Sequence, residues 1–501
     1  MIYEGGMRTM TETAKKKRGM PSSFTILLAL LAIVAVITVI VSGTSGGEVT
    51  AARLSDFCTA PILGFADALP VCLFVMILGG FLGMMTETGA LDNGIAVLVQ
   101  KLKGNEIMLV PVLMLIFSLG GTTYGMCEET VPFYALLAAT MMAAGFDPMV
   151  GAATVLLGAG CGCLGSTVNP FAVGAAVDAL TGVDIAVNQS IIIGLGGVLW
   201  LVTTVMSIVF VMNYAKKVKA DKGSTILSMQ ELEDAEAAHG KAASEVNKEV
   251  KLTGRQKGVL IAFAFTFVVM IVGFIPLADL NEGVANFFDA GAVYDADGNT
   301  VVQGWSALIT GLPIGQWYFD EASTWFFLMA ILIGIIGGLS EKQIVNTFIT
   351  GAADMMSVVL VIALARGISV LMANTGLDVY VLDAAANALA GLSGVIFAPM
   401  SFLVYFGLSF LIPSTSGMAT VSMPIMGPLA VKLGFSPEVM VMIFSAAIGV
   451  VNLFTPTSGA IMGGLALAKI EWTTWLKFAL KLIVALSVVC AVILTIACVM
   501  L

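Results

Sequence analysis

Four short polar stretches interrupt apolar segments of this chain, and they fall into two pairs of nearly equal internal spacing. The first pair is Gly121-Thr122-Thr123-Tyr124-Gly125, running on to Glu128-Glu129-Thr130, and then Gly165-Ser166-Thr167-Val168-Asn169-Pro170. The second is Pro413-Ser414-Thr415-Ser416-Gly417, and then Asn452 followed by Thr455-Pro456-Thr457-Ser458-Gly459. In hydrocarbon every unsatisfied backbone group is expensive, so such breaks persist only where protein or a wet cavity covers them. The half-helix ends offer free amides to anionic groups, and free carbonyls and hydroxyls to Na⁺. Thr122, Thr123, Tyr124, Ser166, Thr167, Asn169, Ser414, Thr415, Ser416, Asn452, Thr455, Thr457 and Ser458 are therefore candidate substrate- or ion-binding residues. A lone Ser or Thr in a membrane helix often only satisfies a neighbouring helix; four breaks at repeated spacing point to one central cavity instead.

Three ionisable residues inside apolar segments sharpen this reading, because such groups are costly in a bilayer. Glu128 and Glu129 lie at the first break, where a carboxylate could take a cationic substrate group, a coupling Na⁺ or a proton. Arg366 lies in the apolar stretch 354–372, either meeting substrate directly or pairing with one of those glutamates. Two acids against one base tilt the site towards a cation.

The elements that carry these residues must be membrane helices. Of the 501 residues 58% are apolar and 11% charged, and the mean hydropathy is +1.00, which excludes a soluble fold of this length. Phe24 to Val41, Ile191 to Met212, Val259 to Leu277 and Leu482 to Leu501 are uncharged runs long enough to cross a bilayer as helices. Cys58, Cys72, Cys127, Cys161, Cys163, Cys490 and Cys498 lie mostly in apolar stretches without metal-ligand spacing, and read as buried thiols. No metal site and no cofactor is expected, beyond a possible coupling Na⁺ or H⁺. The expected partners are a small-molecule substrate and the lipid bilayer, and nucleic acid is not among them. Lys15, Lys16, Lys17 and Arg18 precede the first span, which is longer than a signal-peptide core and reads as a retained helix.

Lys and Arg concentrate before the first span, at Lys101 and Lys103, across 214–257, and at Lys342, Lys469 and Lys477, which the positive-inside rule places in the cytoplasm. The stretch between Lys257 and Lys342 has neither, and carries Asp279, Glu282, Asp289, Asp295, Asp297, Asp320 and Glu321. Alternation then predicts about nine crossings, a cytoplasmic N-terminus and an extracytoplasmic C-terminus, in a bacterial inner membrane.

The halves repeat. Gly64, Ala66 and Asp67 recur as Gly351, Ala353 and Asp354, and Thr88-Gly89 as Thr375-Gly376. Gly145, Phe146, Pro148 and Gly160 recur as Gly434, Phe435, Pro437 and Gly449. The expected organisation is a cytoplasmic terminus (1–23), a first membrane repeat (24–213) and a cytoplasmic linker (214–257). An unpaired helix (258–277) and an extracytoplasmic loop (278–323) follow, before a second, inverted repeat (324–501). Hairpins 106–144 and 395–433 enter and return on one side, and 149–180 and 436–470 are broken helices. The fold class is thus an all-α polytopic membrane protein with an inverted repeat, two re-entrant hairpins and two broken helices, a transporter signature.

The linker mixes Lys216, Lys217, Lys219 and Lys222 with Glu231, Glu233, Asp234 and Glu236, and holds His239, the one histidine. It reads as a solvated tether with a short helix; a lipid-binding segment would need a cleaner basic face. Asp295, Asp297, Gly298 and Asn299 resemble the start of a calcium loop but lack the glutamate at its twelfth position, so a hairpin turn is expected.

The combination of GTTYGMCEETVPFY (Gly121 to Tyr134), GSTVNPFAVG (Gly165 to Gly174) and TPTSGAIMGG (Thr455 to Gly464) resembles the YfcC-like carriers, related to the C4-dicarboxylate anaerobic carriers of the ion-transporter superfamily. The resemblance runs from about residue 20 to the end. It implies a homodimer whose protomers each combine a scaffold with a mobile unit that moves substrate by an elevator-like stroke. Superfamily relatives bind Na⁺ and substrate at Ser-Asn-Thr tips; the matching positions here are Ser166, Thr167 and Asn169, and Ser414, Thr415 and Ser416, the second lacking Asn. The resemblance leaves two cargoes open. One is a basic amino acid, in arginine/ornithine-type exchange, with Glu128 or Glu129 on its side-chain cation. The alternative is a C4-dicarboxylate coupled to Na⁺ or H⁺, with Arg366 on a carboxylate. An ion channel would gather its breaks around an oligomeric axis rather than within one chain's repeat. An enzyme is not expected, for no nucleophile and base, and no metal-ligand cluster, lie in the spans.

Overall fold

The computed structural model describes residues 23–91, 93, 94, 97, 105–245, 251–275, 277–280, 282–295, 300–412 and 414–501. The cluster Lys15 to Arg18, Lys101, Lys103, Asp297, Gly298, Asn299 and Pro413 lie outside the described residues, as does the side chain of Glu128. The regular structure among the described residues is helical but for a small ribbon in which Val293–Tyr294 pairs antiparallel with Thr300–Val302. Among them, eight helices are long and apolar enough to cross a bilayer. Helix is the form these runs must take, since it alone satisfies every backbone group within one segment in lipid.

Helix α1 (Ser23–Ser42) leads into α2 (Leu54–Asp67) and α3 (Leu69–Glu87), one helix interrupted at Ala68. Helices α4 (Leu109–Tyr124) and α5 (Val131–Ala143) form the first hairpin. Helix α6 (Pro148–Leu164) and α7 (Ala175–Thr181) are the halves of the first broken helix. Helix α6 starts where Asp147 caps it, accepting from Val150 N at 3.1 Å with proline in the first turn. Helix α8 (Gln189–Ala220) leads to the linker helix α9 (Met229–Glu245), and α10 (Gly254–Phe274) and α11 (Phe319–Gly337) follow. The second half repeats the plan: α12 (Glu341–Asp354) and α13 (Met356–Thr375) are interrupted at Met355, and α14 (Leu377–Leu389) leads to a hairpin of α15 (Gly394–Leu411) and α16 (Thr415–Lys432). The second broken helix is α17 (Pro437–Val451) and α18 (Gly459–Leu467), and α19 (Trp472–Met500) closes the chain.

Packing sorts these helices into two groups. Helices α1, α2, α3 and α10 to α13 form a scaffold, in which Phe74, Phe81, Phe263, Phe267 and Phe326 meet ring to ring. The hairpins, the broken helices, α8 and α19 form a second unit.

The repeat is visible as the same contacts made twice. A Cβ on Gly64 would lie 2.3 Å from Gly367 N, and one on Gly351 would lie 3.0 Å from Gly80 Cα, the corresponding pair. A Cβ on Gly160 would strike Leu453 at 2.2 Å, and one on Gly449 would strike Leu164 at 2.4 Å. Contacts that exchange partners in this way are those of a pseudo-two-fold axis.

Two expectations need correction. Helix α11 starts within the stretch read as loop, because Asp320 and Glu321 occupy its first turn and Glu321 accepts from Tyr318 N at 2.9 Å. The linker is not a solvated tether. Helix α9 lies on α5, with Leu227, Glu231 and Ala235 buried at four-residue intervals and His239 continuing that face. Glu231 accepts from Glu471 N at 2.9 Å, and His239 Nε2 donates to Leu467 O at 3.1 Å. Upstream, Tyr214 and Thr225 each donate to Asp147 at 2.6 Å. The acidic stripe that reads as solvated face is thus partly spent on capping the second unit.

Candidate substrate site

The first hairpin turns at Gly125, which ends α4 in the left-handed region (φ 79°) and lies so close to Asn169 that a Cβ would come within 2.4 Å of Oδ1. Glu129, 1% exposed, then closes the tip by accepting from Cys127 N at 2.9 Å. At the first break Asn169 Oδ1 accepts from Phe171 N at 2.9 Å and Ala172 N at 3.3 Å, while its Nδ2 donates to Ser166 Oγ. Asn169 therefore starts the second half-helix as an N-cap does. Hairpin and break are tied together: Thr122 Oγ1 donates to Gly165 O at 2.6 Å, and Thr167 donates to Thr122 O from N at 2.9 Å and from Oγ1 at 3.0 Å.

The second tip starts α16 at Ser414, whose Oγ accepts from Gly417 N at 3.1 Å. At the second break the carbonyls of Leu453 and Phe454, left without helical partners, accept from Trp475 Nε1 at 2.8 Å and Trp472 Nε1 at 2.7 Å. Ser458 makes no side-chain cap, so the first amides of α18, from Gly459 to Ile461, begin the helix without one.

Both tips and both breaks meet at one cavity of about 290 Å³. Of the candidate residues, Glu129, Asn169, Ser414, Thr415, Ser416, Asn452, Thr457, Ser458 and Arg366 line it. Thr122, Thr123, Tyr124, Ser166, Thr167 and Thr455 do not. Thr122 and Thr167 spend their hydroxyls on the cross-ties, Ser166 donates to Cys163 O at 2.6 Å within its own segment, and Thr123 donates to Leu119 O at 2.6 Å. Tyr124 is buried beside Phe274, and Thr455 pairs with Thr457 at 2.7 Å. Asn452 Oδ1 is a buried acceptor without a hydrogen-bond partner.

The scaffold wall holds what the sequence reading missed. Asp67, Phe319 and Ile362 join Arg366 there, and Arg366 Nε faces Asp67 Oδ2 at 3.4 Å. The pairing follows from the close crossing of α2 and α13 at Gly64 and Gly367. The one available signal was the recurrence of Asp67 as Asp354, which marks the repeat without marking chemistry. Phe171 stacks on Phe319 at 5.4 Å where the two units meet. Cys127 and Cys163 also line the cavity, and Cys58 is exposed, so these three thiols depart from the buried expectation. A second cavity, of about 510 Å³, opens between scaffold and first hairpin, lined by Thr86, Glu87, Thr140, Asn346, Thr350, Asp354 and His239 among others.

A predominantly helical, multi-spanning chain whose interrupted helices gather polar groups and half-helix ends around one cavity between two packed units has the architecture of a secondary transporter. A model of the C4-dicarboxylate anaerobic carrier (DcuC) family matches residues 48–499, and the chain belongs to that family. An "Uncharacterized protein" of Haemophilus influenzae is 29% identical over 88% of this chain and 78% of its own length. The "Putative basic amino acid antiporter YfcC" of Escherichia coli K12 is 27% identical over 86% of this chain and 77% of its own. Among solved structures, Neisseria gonorrhoeae MtrF, described as illuminating a class of antimetabolite efflux pumps, aligns over 96% of this chain and 95% of its own at 17% identity, with a TM-score of 0.43. The YdaH transporter of Alcanivorax borkumensis aligns over 95% of this chain and 98% of its own at 15% identity, with a TM-score of 0.45. The chain is a multi-pass membrane transporter and not an enzyme.

Proposed function

We propose that this transporter exchanges basic amino acids of the arginine and ornithine type across the bacterial inner membrane. The observation that carries the reading is the charge of the cavity. Its described ionisable carboxylates and cations are Asp67, Glu129 and Arg366, two acids against one base and a net of one negative charge when all three are ionised. A basic amino acid, with a net charge of about +1 at neutral pH, neutralises that set, whereas a dicarboxylate adds like charge to it. In this reading Glu129 at the tip takes the side-chain cation. The leading amides of α18 hold the α-carboxylate, where a helix dipole favours an anion. The name of the Escherichia coli relative supports the same class.

The hairpins and broken helices would travel as one unit past the scaffold in an elevator-like stroke, in a homodimer with cytoplasmic N-termini and extracytoplasmic C-termini. Exchange of like charges needs no coupling ion. The second reading is uptake of a C4-dicarboxylate with Na⁺ or H⁺, favoured by the family match and by the unpartnered Asn452 oxygen among the Ser and Thr hydroxyls, a neutral-oxygen setting that suits Na⁺.

Counterflow of radiolabelled arginine into proteoliposomes preloaded with arginine, ornithine, succinate or buffer, with and without Na⁺, tests both. Uptake driven only by internal arginine or ornithine is the expected result. Absence of arginine uptake under every loading refutes the exchange reading, and succinate uptake that requires Na⁺ or a proton gradient establishes the second.

A further inference from the structure

The two charged groups that the scaffold contributes to the cavity meet through a single contact, Arg366 Nε to Asp67 Oδ2 at 3.4 Å. That is longer than a charge-assisted hydrogen bond of about 2.7–2.9 Å and is not the bidentate fork that arginine makes when it is locked to a carboxylate. Both side chains keep access to the space around them, at 28% and 51% exposure. The pair is loose, and it lies against the tips that carry the other binding groups.

The internal repeat supplies a control for why the pair exists. Asp354 ends α12 as Asp67 ends α2, and the single residue that links the two helices has nearly the same conformation in each half. It is φ −92°, ψ 10° at Ala68 and φ −83°, ψ −6° at Met355. By the offset that relates Asp67 to Asp354, the counterpart of Arg366 is Gly79, where even a Cβ would lie 2.4 Å from Met355 Cγ. The same helix junction therefore forms where no arginine fits. Arg366 is not needed to shape the break at Asp67, and it stands only on the side where the scaffold faces the hairpin tips.

We propose that Asp67 is the scaffold's specificity-determining residue, and that Arg366 is its resident competitor, displaced when the side-chain guanidinium or ammonium that Glu129 receives at the tip is shared with the Asp67 carboxylate across the cavity. The inference rests on the basic amino-acid reading above. Exchanging one cation for another keeps the Asp67 carboxylate paired throughout, and the released Arg366 side chain retains access to the space around it. A dicarboxylate cannot make this exchange: it has nothing to offer Asp67, and drawing Arg366 away would leave that carboxylate bare.

The test is the KM for arginine in counterflow with Asp67→Asn and Arg366→Gln, which the proposal moves in opposite directions. Asp67→Asn removes the acceptor and leaves Arg366 to repel the substrate, so KM rises about tenfold or more. Arg366→Gln removes the competitor, so KM falls several-fold, and maximal rates change much less in both. A pair that only braced the helices would impair both variants alike. An unchanged or raised KM in Arg366→Gln overturns the proposal, as does an unchanged KM in Asp67→Asn. Should Asp67→Asn not fold, the sign of the Arg366→Gln shift decides. Lack of arginine and ornithine uptake by the wild type overturns the basic amino-acid reading and this inference with it, whereas normal wild-type uptake with unshifted variants overturns this inference alone.

Discussion

Gly162→Ala tests whether the hairpin is held on the broken helix by close backbone approach. Gly162 of α6 faces α4, and a Cβ there would lie 2.2 Å from Ser118 O and 2.7 Å from Gly121 Cα. Neither neighbour can yield, because both are backbone, so the helices must separate by about 1 Å to approach normal contact. The cross-ties from Thr122 to Gly165 and from Thr167 to Thr122 span 2.6 to 3.0 Å, and an opening of about 1 Å carries them past hydrogen-bonding range. Three such bonds at roughly 0.6–1 kcal/mol each, with an overpacking strain of about 1–3 kcal/mol, outweigh the helix propensity gained by alanine, for a net loss of roughly 2–5 kcal/mol. The assay is thermal unfolding of the detergent-solubilised protein, with Gly407→Ala as the control, since a Cβ at Gly407 meets nothing within 4 Å. The expected result is a midpoint lowered by on the order of 5 °C for Gly162→Ala and nearly unmoved for Gly407→Ala. Equal midpoints for the two variants would refute the reasoning.

Trp475→Phe leaves the Leu453 carbonyl without its donor at the second break, and lowers stability by about 1–3 kcal/mol, read by the same thermal assay. Cys127 lines the cavity, so saturating arginine slows its alkylation by maleimide, followed by mass spectrometry of the labelled peptide; equal rates with and without arginine count against the site. Burial holds the His239 imidazole below the ordinary histidine range, Lys469 adds to this, and Glu87 and Asp354 share its cavity. Its neutral form is therefore the one that docks α9. Docking is strongest above the ordinary pKa of about 6.5 and weakens as pH falls below it towards the depressed value, because the undocked imidazole takes up protons first. Hydrogen exchange of Met229–Glu245, corrected for its intrinsic pH dependence, is expected to speed up across that interval, and His239→Gln to remove the response.

The parts of this protein that depend on local chemistry were legible in its sequence. Apolar runs without charge can only be membrane helices, and the interruptions at Thr122, Asn169, Ser414 and Asn452 mark where helix ends must find partners. The recurrence of Gly64 to Asp67 as Gly351 to Asp354 disclosed the repeat, and the structure bears it out in exchanged contacts. The tertiary structure alone decided which polar groups face the cavity. Thr122 and Thr167 have the same chemistry as Thr415 and Thr457, yet they turn away because hairpin and break lie close enough to use them as ties. It also decided that Arg366 meets Asp67, nearly three hundred positions away, and that the charged linker docks through Glu231 and His239. The physical reason is common to these cases: hydropathy and helix breaks are properties of neighbouring residues, whereas a side chain's partner is set by which helices cross, and that depends on where small residues let two backbones approach.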